Sequence, residues 1–172
     1  MGVSKSAILS IFITLLSDNC YSFGGNSTIE HQKFMTIALE EAKKGKDKGN
    51  AAIGSVIVCD DQVIGKGHNI VTTDGDITMH AEIAALRNAS LISGMSDFTG
   101  CILYTTMEPC MMCAGAIVVS GVTTLVMGGN YAFSTGSYGD YQVDKAFLLV
   151  ERNNITVIRG VMVKECEDIV RF

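Results

Sequence analysis

The sequence predicts an α/β chain folded as a three-layer α/β/α sandwich around a five-stranded mixed sheet. Three observations carry this. A helical pattern near the start is followed by two β-rich runs that meet at a two-residue turn. From about residue 80 onward, helical and extended stretches alternate, the order that gives parallel strands joined by crossover helices. A hydrophobic content of 48% over 172 residues suits one compact domain that buries its core without staples.

The elements follow in chain order. Lys5 precedes an apolar run at 7–16, and small residues stand at Cys20 and Ser22. Residues 1–22 therefore predict a secretory signal peptide, too short for a membrane span, which leaves 23–172 as a single domain, secreted or periplasmic. The alternative is an N-terminal helix that stays packed on a cytoplasmic protein. Ser27 and Glu30 have capping-box spacing; Phe34, Ile37, Ala38 and Ala42 mark one face of a helix, and Gly45 with the lysines to Lys48 marks its end. Residues 53–59 and 62–70 read as strands paired through Asp60-Asp61. Residues 71–77 are polar and read as a loop.

A helix is expected from His80 to about Ala89, ended by Gly94, with Ile83, Ala84, Leu86 and Arg87 at helical spacing. Residues 101–106 form a strand that leads to Pro109. The helix after it is apolar all round from Ala114 to Val119, which implies burial on both sides, and Gly121 stops it. A strand at 122–127, a loop over 130–141, a helix at 144–151, a strand at 155–158 and a terminal helix at 163–172 complete the chain.

Two stretches concentrate the chemistry. Pro109 suits a helix start, so Cys110 and Cys113 belong to a first turn, where positions i and i+3 are neighbours and the macrodipole favours a thiolate. His80, also at a helix start, can supply a third ligand. Three ligands of this type leave a tetrahedral zinc ion (Zn2+) one position short, and a catalytic zinc keeps that position for water, whose pKa it lowers to about 7. Glu82, two residues beyond His80, does not share its helix face and is free to carry protons. The H-x-E with P-C-x-x-C pattern is the known signature of zinc base deaminases.

Residues Gly65-Lys66-Gly67-His68-Asn69, Met79-His80-Ala81-Glu82, Leu103-Tyr104-Thr105-Thr106 and the run from Pro109 through Ile117 together resemble the cytosine and nucleoside deaminase superfamily, over about residue 30 to the C-terminus. The branch is that of free-base deaminases and tRNA wobble adenosine deaminases. The resemblance implies a cytidine deaminase-like fold, Zn2+ on His80, Cys110 and Cys113, Glu82 as the catalytic proton carrier, and a homodimer that packs the metal helices across a two-fold axis. It also implies that Asn69 hydrogen-bonds the substrate, that the backbone N–H groups of Ala81 and Cys110 orient base or water, and that Phe133 lines the base pocket. On the residues alone, Asn69 reads first as a turn residue capping a strand end, and only with the rest of the motif as a substrate ligand. Wobble adenosine deaminases carry a basic segment where this chain has the uncharged stretch 129–136, and His80-Ala81-Glu82 has the form shared by adenosine and guanine deaminases.

The net charge of -5 argues against a broad phosphate-binding surface. A free nucleobase or nucleoside is thus the expected partner, and nucleic acid an unfavoured one. A thioredoxin-like use of Cys110 and Cys113 would need neither His80 nor Glu82. A structural zinc would need a fourth ligand, and His31 and His68 have no ligand spacing. Cys59, Cys101 and Cys166 remain; three cysteines without framework spacing read as small buried apolar residues and not as a disulfide scaffold.

Overall fold

The computed structural model describes residues 27–130 and 139–171. The predicted signal peptide and Phe133 lie outside the described residues. The first helix, α1 (Ser27–Asp47), has Glu30 in its first turn and Lys44 and Lys46 in its last, charges that oppose the macrodipole at each end. Phe34, Met35, Ala38 and Ala42 are its buried stripe. Strands β1 (Gly54–Cys59) and β2 (Gln62–His68) form the expected antiparallel hairpin. Asp60 and Asp61 have φ of 48° and 58°, the left-handed pair that a two-residue type I′ turn requires.

Strand β3 (Ile102–Met107) pairs antiparallel with β1 and parallel with β4 (Thr124–Gly129), and β5 (Thr156–Ile158) pairs parallel with β4. The sheet order is β2-β1-β3-β4-β5, a five-stranded mixed sheet as the sequence predicts. The other helices are α2 (Val71–Asp74), α3 (Ala81–Ser93), α4 (Met111–Ser120), α5 (Val143–Leu149) and α6 (Val163–Val170).

Successive strand residues point to opposite faces, and both faces are covered. Val56, Val58, Tyr104 and Val126 pack with Phe34 and Ala38 of α1 and Cys166 of α6. Ile57, Leu103, Leu125 and Met127 pack with Ala85 of α3, Ile117 of α4 and Phe147 of α5. This is the three-layer sandwich. Contact between α3 and β2 is close because both surfaces are small: a Cβ on Gly67 would lie 2.3 Å from the Ala85 nitrogen and 2.7 Å from the Ala81 oxygen. Glycine at 67 thus lets the backbone of α3 settle on the sheet, with His80 at its tip.

Three expectations need correction. Residues 71–77 are not all loop, because α2 occupies 71–74. Its first N–H groups are satisfied by side chains: Asn69 Oδ1 accepts from Val71, and Asn50 Oδ1 from Thr72 and Thr73. As a result, the start of α3 does not follow its strand directly, whereas that of α4 does.

Helix α4 is not buried on both sides within this chain. Met111, Met112 and Val119 are 47%, 37% and 85% exposed, since the sheet takes only the side bearing Cys113, Ala114 and Ile117.

Cys59 and Cys101 are not free: they form a disulfide. The antiparallel register that sets Val58 opposite Ile102 brings the next residues, Cys59 and Cys101, face to face. Cys166 is buried and free, as expected. Among the described residues, no helix is long and apolar enough to cross a membrane.

Candidate active site

His80 and Cys110 occupy the same local position, the N-cap of a helix with extended backbone. Their side chains make no capping bond and are available outward. Cys113 follows Cys110 within the first turn of α4. Glu108, Pro109 and Cys110 carry the chain from the carboxyl end of β3 into α4, so both sulfurs stand where a parallel sheet presents its ligands.

The three sequence-predicted ligands converge. Nδ1 of His80 lies 3.6 Å from Sγ of Cys110 and 3.7 Å from Sγ of Cys113. With Zn–N about 2.0–2.1 Å and Zn–S about 2.3 Å, tetrahedral geometry separates such a pair by roughly 3.6 Å. The donor set and its spacing fit zinc. Among the described residues, these three form the cluster that could hold a metal ion, and no fourth side chain completes it. Cys113 is buried while His80 and Cys110 are partly exposed, so the cluster is reached from one side.

The site's electrostatics have stated causes. A hydrogen bond from Cys113, with His80 beside it, draws the Cys110 thiol down to about 4. Sharing that proton, burial and the Glu82 charge push Cys113 upward. The bond to Cys110 raises His80 against its partial burial. Such a proton-sharing sulfur pair becomes two thiolates when a cation replaces the protons.

Glu82 lies in the first turn of α3, outside the ligand cluster, and is only 3% exposed. Its Oε1 accepts a hydrogen bond from Thr105 Oγ1 at 3.1 Å, and its Oε2 one from Cys113 Sγ at 3.4 Å. Burial raises its pKa, the direction that keeps a proton within reach near neutral pH.

Asn69 is buried at 5% exposure; its Oδ1 is engaged by Val71 N–H and its own N–H by Ile53 O. Ala81 is fully buried as the first residue of α3, among the N–H groups that a helix leaves without an intrahelical partner.

Three residues of the site escaped the sequence reading. Thr105 is one; it stands in a stretch that carries the resemblance, but nothing in the sequence directs its hydroxyl to Glu82. Glu108 is another. It is buried, its Oε1 accepts from Val143 N–H and Arg159 at 3.0 Å each, and Arg159 also pairs with Asp144. The third is Tyr141, which donates to the Pro109 carbonyl at 2.6 Å. Neither Glu108 nor Tyr141 announces a partner so distant in the chain. Together they anchor the start of α5 beside the metal-bearing turn.

Residues 28–129 match the family described as the cytidine and deoxycytidylate deaminase zinc-binding region. A tRNA-specific adenosine deaminase of Buchnera aphidicola subsp. Schizaphis graminum is 36% identical over 137 residues, covering 79% of this chain and 88% of the relative. A cytosine deaminase of Candida albicans is 40% identical over 107 residues, 62% of this chain and 71% of the relative. Among solved structures, a guanine deaminase from Bacillus subtilis is similar at a TM-score of 0.57 and 38% identity, covering 59% of this chain and 66% of that one. The chain therefore belongs to the cytidine and deoxycytidylate deaminase family, and it is a hydrolytic deaminase of the zinc-binding type.

Proposed function

We propose that this enzyme removes the exocyclic amine of a free nucleobase or nucleoside, of cytosine, guanine or adenine type, and releases ammonia. His80, Cys110 and Cys113 hold the zinc. The ion supplies a Lewis acid that activates water at neutral pH. Glu82 is placed to carry two protons in turn, one from the attacking water to the ring nitrogen and one from the hydroxyl that water leaves on the ring carbon to the departing amine, so that water enters and ammonia leaves. Its burial excludes bulk water from the proton path. Asn69 has committed its carbonyl to Val71, so its amide nitrogen is the group left to donate to a base or ribose edge. The N–H groups of Ala81 and Cys110 orient base or water, and the family resemblance assigns Phe133 to the lining of the base pocket.

One observation carries the choice of substrate class. From Asn88 to Asp144, a stretch containing both metal cysteines and the segment between β4 and α5, the chain has no Lys or Arg. Asp74 and Asp76 precede His80 on the other side. A polyanionic substrate draws its affinity from cations, and these segments offer none. The competing reading is a tRNA wobble adenosine deaminase or a secreted nucleic-acid deaminase effector, favoured by the tRNA deaminases among the relatives. Ammonia release from cytosine, guanine, adenine and their nucleosides, measured beside inosine formation in tRNA, decides between them; turnover of tRNA alone overturns our reading.

We also propose export and a homodimer. Export rests on the apolar run at 7–16 and on the Cys59–Cys101 disulfide, a bond that persists in oxidising compartments. N-terminal sequencing of the mature protein tests it: a chain that still begins at Met1 overturns it. The dimer rests on the exposed apolar side of α4, whose Met111, Met112 and Val119 await a covering surface.

A further inference from the structure

We propose that Thr105 is a positioning residue for the deamination: its buried hydroxyl holds Oε1 of Glu82, so that Oε2 alone is presented to the ligand cluster. This inference rests on the reading of Glu82 as proton carrier.

Thr105 sits in the middle strand of the sheet, between Ser55 of β1 and Met127 of β4, and it is fully buried. Strand alternation puts its side chain on the same face as Leu103, the face covered by α3 and α4. Valine would fill that space equally well. A hydroxyl there costs free energy unless it is hydrogen-bonded, and the partner it has is Glu82 at 3.1 Å. The next residue behaves differently. Thr106 accepts the Gly54 N–H at 3.1 Å, a bond that joins β3 to β1. Two adjacent threonines thus have separate partners, and only the first touches the site.

The two oxygens of Glu82 differ in what holds them. Oε2 meets the Cys113 sulfur at 3.4 Å. A cysteine that ligates a cation is a thiolate and has no proton to donate, so that contact cannot secure the carboxylate in the loaded enzyme. Thr105 is not a metal ligand and keeps its hydroxyl proton when a cation is bound, so it can still donate to Oε1. It keeps Oε1 turned toward β3 and resists rotation about the terminal torsion, which is otherwise soft. Oε2 then faces His80, Cys110 and Cys113.

The test compares Thr105→Val, Thr105→Ser and Glu82→Gln, using cytosine, guanine, adenine and their ribonucleosides as substrates. In Thr105→Val, kcat should fall roughly 10- to 100-fold, the cost of a misaligned catalytic group, with KM within about threefold of wild type. Zinc content and the visible spectrum of the cobalt(II)-substituted protein should not change, because the ligands are untouched. Thr105→Ser restores the hydroxyl and should recover kcat. An unchanged kcat in Thr105→Val beside an inactive Glu82→Gln overturns this proposal and leaves the Glu82 reading intact. Full activity in Glu82→Gln overturns both. A loss in Thr105→Val that follows its zinc content, or that Thr105→Ser fails to recover, reduces Thr105 to a structural residue and also overturns the proposal.

Discussion

The disulfide between Cys59 and Cys101 closes the segment of chain that bears Asn69, His80 and Glu82, and it leaves Cys110 and Cys113 outside. The bond links the end of β1 to the residue before β3, at the opposite end of β3 from the metal-bearing turn. It ties the hairpin and α3 into one closed loop without touching the ligands.

Breaking that loop should cost stability and not chemistry. With a sequence separation of 42 between the cysteines, chain entropy predicts a loss of about 4 kcal/mol in the Cys59→Ser, Cys101→Ser double variant. Thermal denaturation under non-reducing conditions measures it. Zinc stoichiometry should match wild type, because Cys110 and Cys113 keep their places.

Glu82→Gln separates binding from catalysis. The amide cannot carry the proton, so kcat should fall by about 10²- to 10⁴-fold. Zinc content should persist, because Glu82 lies outside the ligand cluster. Cys113→Ser should instead lose the metal, as metal analysis of the purified variants would report.

The same substitution makes a prediction in pH. Burial holds the Glu82 carboxyl above its ordinary 4.5. Between 4.5 and the raised value, the folded chain keeps a proton that the unfolded chain has given up. Stability therefore falls as pH rises through that window. Glutamine carries no such penalty, so metal-free Glu82→Gln should melt above metal-free wild type at neutral pH. The difference should shrink as pH drops toward 4.5.

Gly67→Ala tests the seat of α3. The added methyl would meet backbone atoms of Ala81 and Ala85 at 2.7 and 2.3 Å, where no side-chain rotation relieves it. Overpacking of this kind costs about 1–3 kcal/mol. Because α3 carries His80 at its N-cap, zinc affinity should weaken as well, which a competitive chelator titration would detect.

Val119→Glu tests the proposed dimer. Val119 is 85% exposed in the isolated chain, so a charge there leaves the fold unharmed but cannot be buried against a partner. Light scattering should then give the monomer mass for the variant and the dimer mass for wild type.

Much of the site was legible because its information is local. Cys110 and Cys113 are neighbours on any helix that starts at Pro109, and His80 caps a helix whose apolar spacing and terminal Gly94 are plain. The five strands show as runs of β-formers, and Asp60-Asp61 shows as a turn. Helix α2 was missed because four residues have too little pattern to register, and its first N–H groups depend on Asn50, which comes from another loop. The exposed side of α4 was misread because composition cannot say which apolar residues find a neighbour within the same chain.

Local periodicity, caps and ligand spacing thus settled from the sequence the five strands, the longer helices, the layers they build and which three side chains could share a metal. The pairing of β3 with β1 and its register were decided only by the tertiary structure. The β1–β3 register joins Cys59 to Cys101, and strand alternation turns Thr105 toward Glu82. The bend from β3 into α4 buries Glu108 where Arg159 and Val143 meet it. Each of these contacts depends on the register and direction of segments far apart in the chain, which no local pattern encodes.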